Sequence, residues 1–250
     1  MKIPKIDSHR PFGDGFFSFT HRCKTTLVEP GMSLEKEEIM ETFDFGSGPV
    51  PAHRHRNPDG SEGGWVADTA TVAETATVGT DARVFGNASI NGFCQITDFA
   101  QVFGSARIFD NVRIFCSAKV SGNIKAFGNA QVYGHAEVYG NTRVFNDAKV
   151  FENSSIFDHA AIFDKAQVFG HSWVFGNAEV FGNAEIFDEA QISDDAQVSG
   201  NARVFGEARV SGKAQVFGNA RISRNEKISG DQKISGTALP ICSAPSVLGW

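Results

Sequence analysis

From Val66 onward an aliphatic residue returns at every sixth position: Val66, Val72, Val78, Val84, Ile90, Ile96, Val102, Ile108, Ile114 and Val120. The phase then holds without insertion to Ile234. Two residues before each aliphatic stands a small residue, as at Ala70, Ala76, Ala82, Ala88, Cys94, Ala100 and Ala106. Side chains alternate along a strand, so a small-x-aliphatic triplet presents both residues to one face. Between triplets come Gly or Asp and then Asn, Asp or a similar polar residue, as in Gly128-Asn129, Gly176-Asn177, Gly182-Asn183 and Gly218-Asn219. These residues accept a left-handed backbone and turn the chain. The pattern predicts short strands alternating with corners, with aliphatics and alanines filling a bore. The aliphatic gap is Ala126, and two residues earlier Ile124 replaces the usual alanine. A small-for-large change set beside a large-for-small one is how a packed interior conserves volume.

This six-residue step resembles the left-handed parallel β-helix of the hexapeptide-repeat superfamily, in which three hexads close a triangular coil. The resemblance covers about 170 residues. It implies an all-β, left-handed parallel β-helix of roughly nine to ten coils over residues 65–238, with a short irregular N-terminal segment over 1–64 and an apolar C-terminal tail over 239–250. The left hand comes from the resemblance, since parallel crossovers are ordinarily right-handed. Roughly 29 hexads, at about 4.8 Å between strands, make a prism about 45 Å long.

The residue after the aliphatic departs from the commonest pattern of that superfamily, where Gly or Asp is frequent. Here it is usually aromatic: Phe103, Phe109, Phe115, Phe127, Phe145, Phe151, Phe157, Phe163, Phe169, Phe175, Phe181 and Phe187, with Tyr133 and Tyr139 in register. Following an inward residue, these side chains should point outward and stack by the coil into three columns. Tyr139, Phe157 and Phe175 make one column, and Phe109, Phe127, Phe145, Phe163 and Phe181 the next. Tyr133, Phe151, Phe169 and Phe187 share the third register. Such columns either stabilise the coil edges by ring contacts or form an apolar surface that mates with another subunit or a protein partner. Towards the C-terminus the position turns to Ser193, Ser199, Ser211, Ser223, Ser229 and Ser235, which makes the apolar zone central.

The flanks read differently. Ser33 to Phe43 suits a short helix, with Ser33 as N-cap and Glu35, Glu37 and Glu38 in its first turns. Asn57-Pro58-Asp59-Gly60 is a turn. Gly63-Gly64-Trp65-Val66 resembles the lead-in of an uncharacterised bacterial and prophage branch of the superfamily, some of whose members are labelled acyltransferases; Trp65 would cover the open first coil. Glu226 and Gln232 occupy positions that normally face inward, which requires the last coils to fray or meet solvent. The tail from Leu239 to Trp250 is expected to fold back as a plug, because an open β-helix end exposes strand edges.

Composition narrows the function classes. The chain holds 23 Phe against 2 Tyr, 26 Gly and only 3 Met, with a formal net charge of −6. An acidic chain lacks the overall basic footprint of a nucleic-acid binder. Cys23, Cys94, Cys116 and Cys242 have no CxxC spacing, so neither a zinc ribbon nor a disulfide framework is indicated and a reducing, cytoplasmic setting fits. No stretch approaches the ~18 apolar residues of a membrane span, and the polar N-terminus lacks a signal-peptide core.

Candidate chemistry is sparse. Acyltransferases of the superfamily generally use a histidine base and seat acyl-CoA between subunits of a trimer, often against loops extruded from the coils. This repeat extrudes none. His135, His159 and His171 lie at corners, three residues past the aliphatic, in positions that usually hold Asn. His135 and His171 are two coils apart with Asn153 between them, a spacing similar to that of two zinc histidines in γ-class carbonic anhydrases. The third ligand would fall at Gly176, so that site is incomplete. His53-Arg54-His55-Arg56 reads as a solvated linker, although alternate histidines on a strand share a face and suit a metal or an anion. Arg107, Lys125 and Arg143 share one outward column at one-coil spacing and suit an acidic partner. The expectation is a non-enzymatic scaffold or binding protein, homo-oligomeric (a trimer, by the resemblance), needing no cofactor, metal, nucleic acid or membrane. The alternative is an acyl-CoA-dependent transferase, or less readily a zinc enzyme, with its site at a subunit interface.

Overall fold

The structure is a computed structural model that describes residues 41–236. It is an all-β parallel solenoid of about ten turns, its strands falling into three sheets of 12, 10 and 9 strands. Most strands are only two residues long, as at Arg107–Ile108 and Lys125–Ala126. Each pairs in parallel with the strand one coil away, so that Arg107 sits beside Lys125 and Lys125 beside Arg143. Backbone hydrogen bonds between coils satisfy the ladder: the Arg107 N–H donates to the Ile124 carbonyl at 3.0 Å and the Phe109 N–H to Ala126 at 2.9 Å.

The bore contains the residues the six-residue phase places there. Ile108, Ala126 and Val144, neighbours along one sheet, are each fully buried, as are the alanines two residues before most of the aliphatics. Ile124 is also buried. Ala126 is the short residue between the longer Ile108 and Val144, and Ile124, two residues earlier, is buried where the repeat usually has alanine. Three buried polar residues take the small position. Ser154 and Ser172 donate to the carbonyls of Phe151 and Phe169 at 2.9 and 2.7 Å, whereas the Thr142 hydroxyl finds no acceptor.

At the corners the residue after the aromatic has a positive φ, 75° at Gly128 and 61° at Asp110. Several of the side chains at this position bond to the next coil. The Asp110 carboxylate accepts the Gly128 N–H at 2.9 Å, and Asp188 accepts that of Gly206 at 3.0 Å. The following corner position forms amide ladders, Asn183 to Asn201 to Asn219, with bonds of 3.0 and 3.1 Å. The corner sequence thus carries hydrogen bonds along the axis as well as turning the chain.

The lead-in is more ordered than the sequence suggested. Strands β1 (Thr42–Asp44), β2 (Pro49–Arg56) and β3 (Glu62–Ala67) form an antiparallel extension, and β3 continues into the solenoid by pairing Val66 with Val84. The helix expected over 33–43 is therefore corrected at its end, since Thr42 and Phe43 are strand; residues 33–40 lie outside the described residues. Phe43 instead stacks on the Trp65 ring at 4.8 Å. The expected turn at Asn57–Gly60 is present, closed by the Gly60 N–H on the Asn57 carbonyl at 2.8 Å.

Trp65 does not cover the bore, because it lies on an outward strand position beneath the Arg54 guanidinium. The first coil is closed instead by side chains of β2 and its turn. Asn57 Oδ1 accepts the Val78 N–H at 2.9 Å, and the buried His55 ring donates through Nε2 to the Ala76 carbonyl at 3.0 Å. These backbone groups face the side where a preceding coil would stand. Gly63 and Gly64 permit this approach, since a Cβ on Gly64 would meet the Ala82 and Gly79 carbonyls. At the other end Glu226 is half-buried and Gln232 exposed, with Ile228 and Ile234 only partly covered. The proposed tail plug lies outside the described residues.

Candidate functional site

The aromatic positions form stacks whose spacing is that of the coil. Phe115, Tyr133, Phe151, Phe169, Phe187 and Phe205 follow one corner with centroids 4.7 to 5.1 Å apart. Phe127, Phe145, Phe163 and Phe181 follow a second at 4.7 to 4.9 Å. Tyr139, Phe157 and Phe175 follow the third at 5.2 and 4.9 Å. Phe109, one coil before Phe127, is half-buried but outside the stacked set. The planes are nearly parallel, and aromatic pairs of this kind contribute about 0.5 to 1.5 kcal/mol beyond area burial.

The rings lie half-buried along the corners, Tyr139 being the most open of the stacked ones described at 39%. Arginines pack over several, as Arg203 does over Phe187 at 5.0 Å and Arg113 over Phe115 at 5.4 Å. Burial raises the pKa of the Tyr133 and Tyr139 hydroxyls above the usual phenol value. The columns therefore bind coil to coil while their rings remain partly exposed at the surface. Sequence reasoning found these columns but missed Phe93 and Phe99, whose 68% and 64% exposure makes them the most open aromatics described. They stand at the corner position that otherwise carries a polar or charged residue, such as Asn129, His135, Asp147 or Lys165, outside the register in which aromatics recur, and the exception itself was the available signal.

Arg107, Lys125 and Arg143 lie where the spacing puts them, on consecutive outward strand positions of one sheet. Together with Ser105, Asn123 and Asn141 they line a shallow groove of about 350 Å³. The Asn123 amide donates to Asn141 at 3.2 Å, which fixes that wall. None of the three cations has an ion pair, ring contact or side-chain hydrogen bond among the described residues. Elsewhere the same coil-to-coil geometry sets two cations side by side, Arg203 with Arg221 and Arg209 with Lys227, and in two places it pairs opposite charges: Lys119 with Glu137 at 3.2 Å and Arg203 with Glu185 at 2.7 Å.

The histidines are not brought into one site. His135 and His171 share a corner with Asn153 between them, while His159 stands on another, and all three are exposed. His171 and His159 meet the amides of Asn153 and Asn141, each at 3.3 Å, as members of the corner ladders. In the lead-in, His53 pairs with Asp68 at 2.9 Å while His55 is buried in the end closure, so the solvated-linker reading of this segment is corrected: it is strand, and the two rings serve different partners. Among the described residues no group of three or more His, Cys, Asp or Glu side chains is placed to hold a metal ion, and no helix is long and apolar enough to cross a membrane.

The family described as YdcK Beta solenoid repeat matches residues 196–212 of this chain. That stretch spans nearly one coil and supports a β-helical repeat protein. No curated protein matches the sequence.

Proposed function

We propose that this chain is a non-enzymatic β-helical scaffold that associates with a second copy, or with a protein partner, through its aromatic columns. The supporting observation is the continuous run of half-buried rings on each corner, whose edges remain open along the middle of the solenoid. Stacking satisfies the faces of these rings and not their edges, and a long apolar strip on a rigid rod is a surface suited to a flat partner. By its six-residue step we further place the chain near the hexapeptide-repeat superfamily, with a left-handed coil and trimeric assembly as the corresponding expectations.

Light scattering on the full chain tests the reading. A concentration-dependent or stable oligomer at micromolar concentration is expected, weakened when Phe145 and Phe163 are both changed to Ser, the residue that occupies this position near the C-terminal end. A monodisperse monomer that captures no partner would remove the proposal.

A further inference from the structure

We propose that the groove along Arg107, Lys125 and Arg143 binds a compact oligophosphate, a ligand of about three anionic groups laid along the solenoid axis. The inference stands apart from self-association, because it rests on charge and not on the aromatic strips.

Three like charges on adjacent coils, at about the 4.8 Å spacing of neighbouring strands, repel one another. Any one of them replaced by Glu would create the coil-to-coil pair that Lys119 makes with Glu137 and Arg203 with Glu185. Many of the equivalent outward positions carry neutral Gln, as at Gln95, Gln131, Gln167 and Gln197, so the fold does not call for cations here. Arg113, Arg203 and Arg221 are engaged by rings and Arg209 has only Lys227 as a cation beside it, whereas these three form an unneutralised run of three that lines one groove. An anion seated between them removes the repulsion and supplies the missing partner.

The shape of the groove limits the ligand. The cationic run is flanked in register by Ser89 on one side and Ala161 on the other, and Glu179 follows Ala161 on the next coil. A long polyanion would run onto that carboxylate, whereas a ligand spanning three coils would not. Ser105, Asn123 and Asn141 line the same groove and add neutral hydrogen-bonding groups beside the cations, the Asn123 and Asn141 amides each also keeping a coil-to-coil bond. A phosphate group has acceptor oxygens pointing in several directions and can meet a guanidinium on one side and an amide or hydroxyl on the other. A carboxylate presents only two oxygens in one plane.

Calorimetry of the full chain with inorganic tripolyphosphate, orthophosphate and a tricarboxylate tests the assignment. Tripolyphosphate should bind, at least about tenfold more tightly than either comparison anion, with affinity falling as salt is raised. Arg107→Gln, Lys125→Gln and Arg143→Gln should each weaken binding by about tenfold, and the triple variant should abolish it. Unchanged circular dichroism shows that these exposed positions tolerate the change. Lys119→Gln, on another face, controls for overall charge and should leave the affinity as it was. No tripolyphosphate binding at millimolar concentration, or binding that survives the triple substitution, would overturn the site; equal binding of the tricarboxylate would overturn the phosphate assignment. A monomer that still binds tripolyphosphate would sink the self-association reading alone.

Discussion

Ile124 and Ala126 offer a direct test of whether volume in the bore is conserved locally. Ala126 lies between Ile108 and Val144 along its sheet, and the buried Ile124, two residues earlier, is the larger residue expected to fill the space it leaves. Ile124→Ala removes three buried carbons, about 2.4 kcal/mol at ~0.8 kcal/mol per methylene, and the unfilled cavity raises the loss to about 3 to 4 kcal/mol. Ala126→Val forces two carbons into a filled bore and should cost about 1 to 3 kcal/mol. Independent effects would sum to about 4 to 7 kcal/mol in the double variant. The double variant, however, recreates the ordinary Ala-x-Val pattern and is short of the parent by only one carbon, so a loss of about 1 kcal/mol is expected.

The assay is equilibrium unfolding in guanidinium, followed by far-ultraviolet circular dichroism. A solenoid unfolds through nearest-neighbour units, so stabilities should be compared only where the m-values of the four proteins agree. A coupling energy of at least about 2 kcal/mol in favour of the double variant supports local compensation. Additivity within about 0.5 kcal/mol would refute it and show that the bore relaxes around each change separately.

Other outcomes follow from the same structure. Thr142→Val replaces a fully buried hydroxyl without an acceptor by a methyl of the same shape, and should raise stability by about 1 kcal/mol in the same denaturation assay; a loss would mean the hydroxyl is satisfied. Gly64→Ala should disrupt the lead-in, because its Cβ would meet the Ala82 and Gly79 carbonyls; faster hydrogen exchange at Val78 is the expected sign, and unchanged protection would contradict the close approach. Cys94, buried in the bore, has its thiol pKa pushed up to about 11 by desolvation, against an ordinary value of 9.0. A raised pKa favours the neutral thiol, so at pH 9 Cys94 should remain unmodified by iodoacetamide until the chain is denatured, while the half-buried Cys116 reacts first. Mass spectrometry of a Cys23→Ser/Cys242→Ser background reads this directly, and early alkylation of Cys94 would be the contrary result.

The coil was legible because its determinants are local and repeated. Ile90, Ile108 and Val144 are buried for reasons visible within six residues, and the positive φ at Gly128 or Asp110 follows from residue type. The cation column was legible for the same reason, since coil spacing places Arg107 beside Lys125 once the period is known. The end closure was not. The roles of His55 and Asn57 depend on backbone groups of Ala76 and Val78, some twenty positions along the chain and outside any repeat that includes β2. Trp65 was misplaced because its aromatic character suggested a lid, while its phase, one residue before Val66, already assigned it outward. Phe43 lay in a helix-like composition whose fate was set by its contact with Trp65.

The exact coil-to-coil register, in which Arg107 meets Lys125 and Ile108 meets Ala126, makes this protein a modular length standard. Excising or duplicating one whole turn, 18 positions from Arg107 to Lys125, would leave every cross-section intact and change only the distance between its ends. A single-residue insertion has the opposite effect, turning inward side chains to solvent for as far as the slip persists. Lineages of such proteins should therefore differ in extent by whole turns, and a group displayed near one end can be moved along the rod without redesigning what holds it.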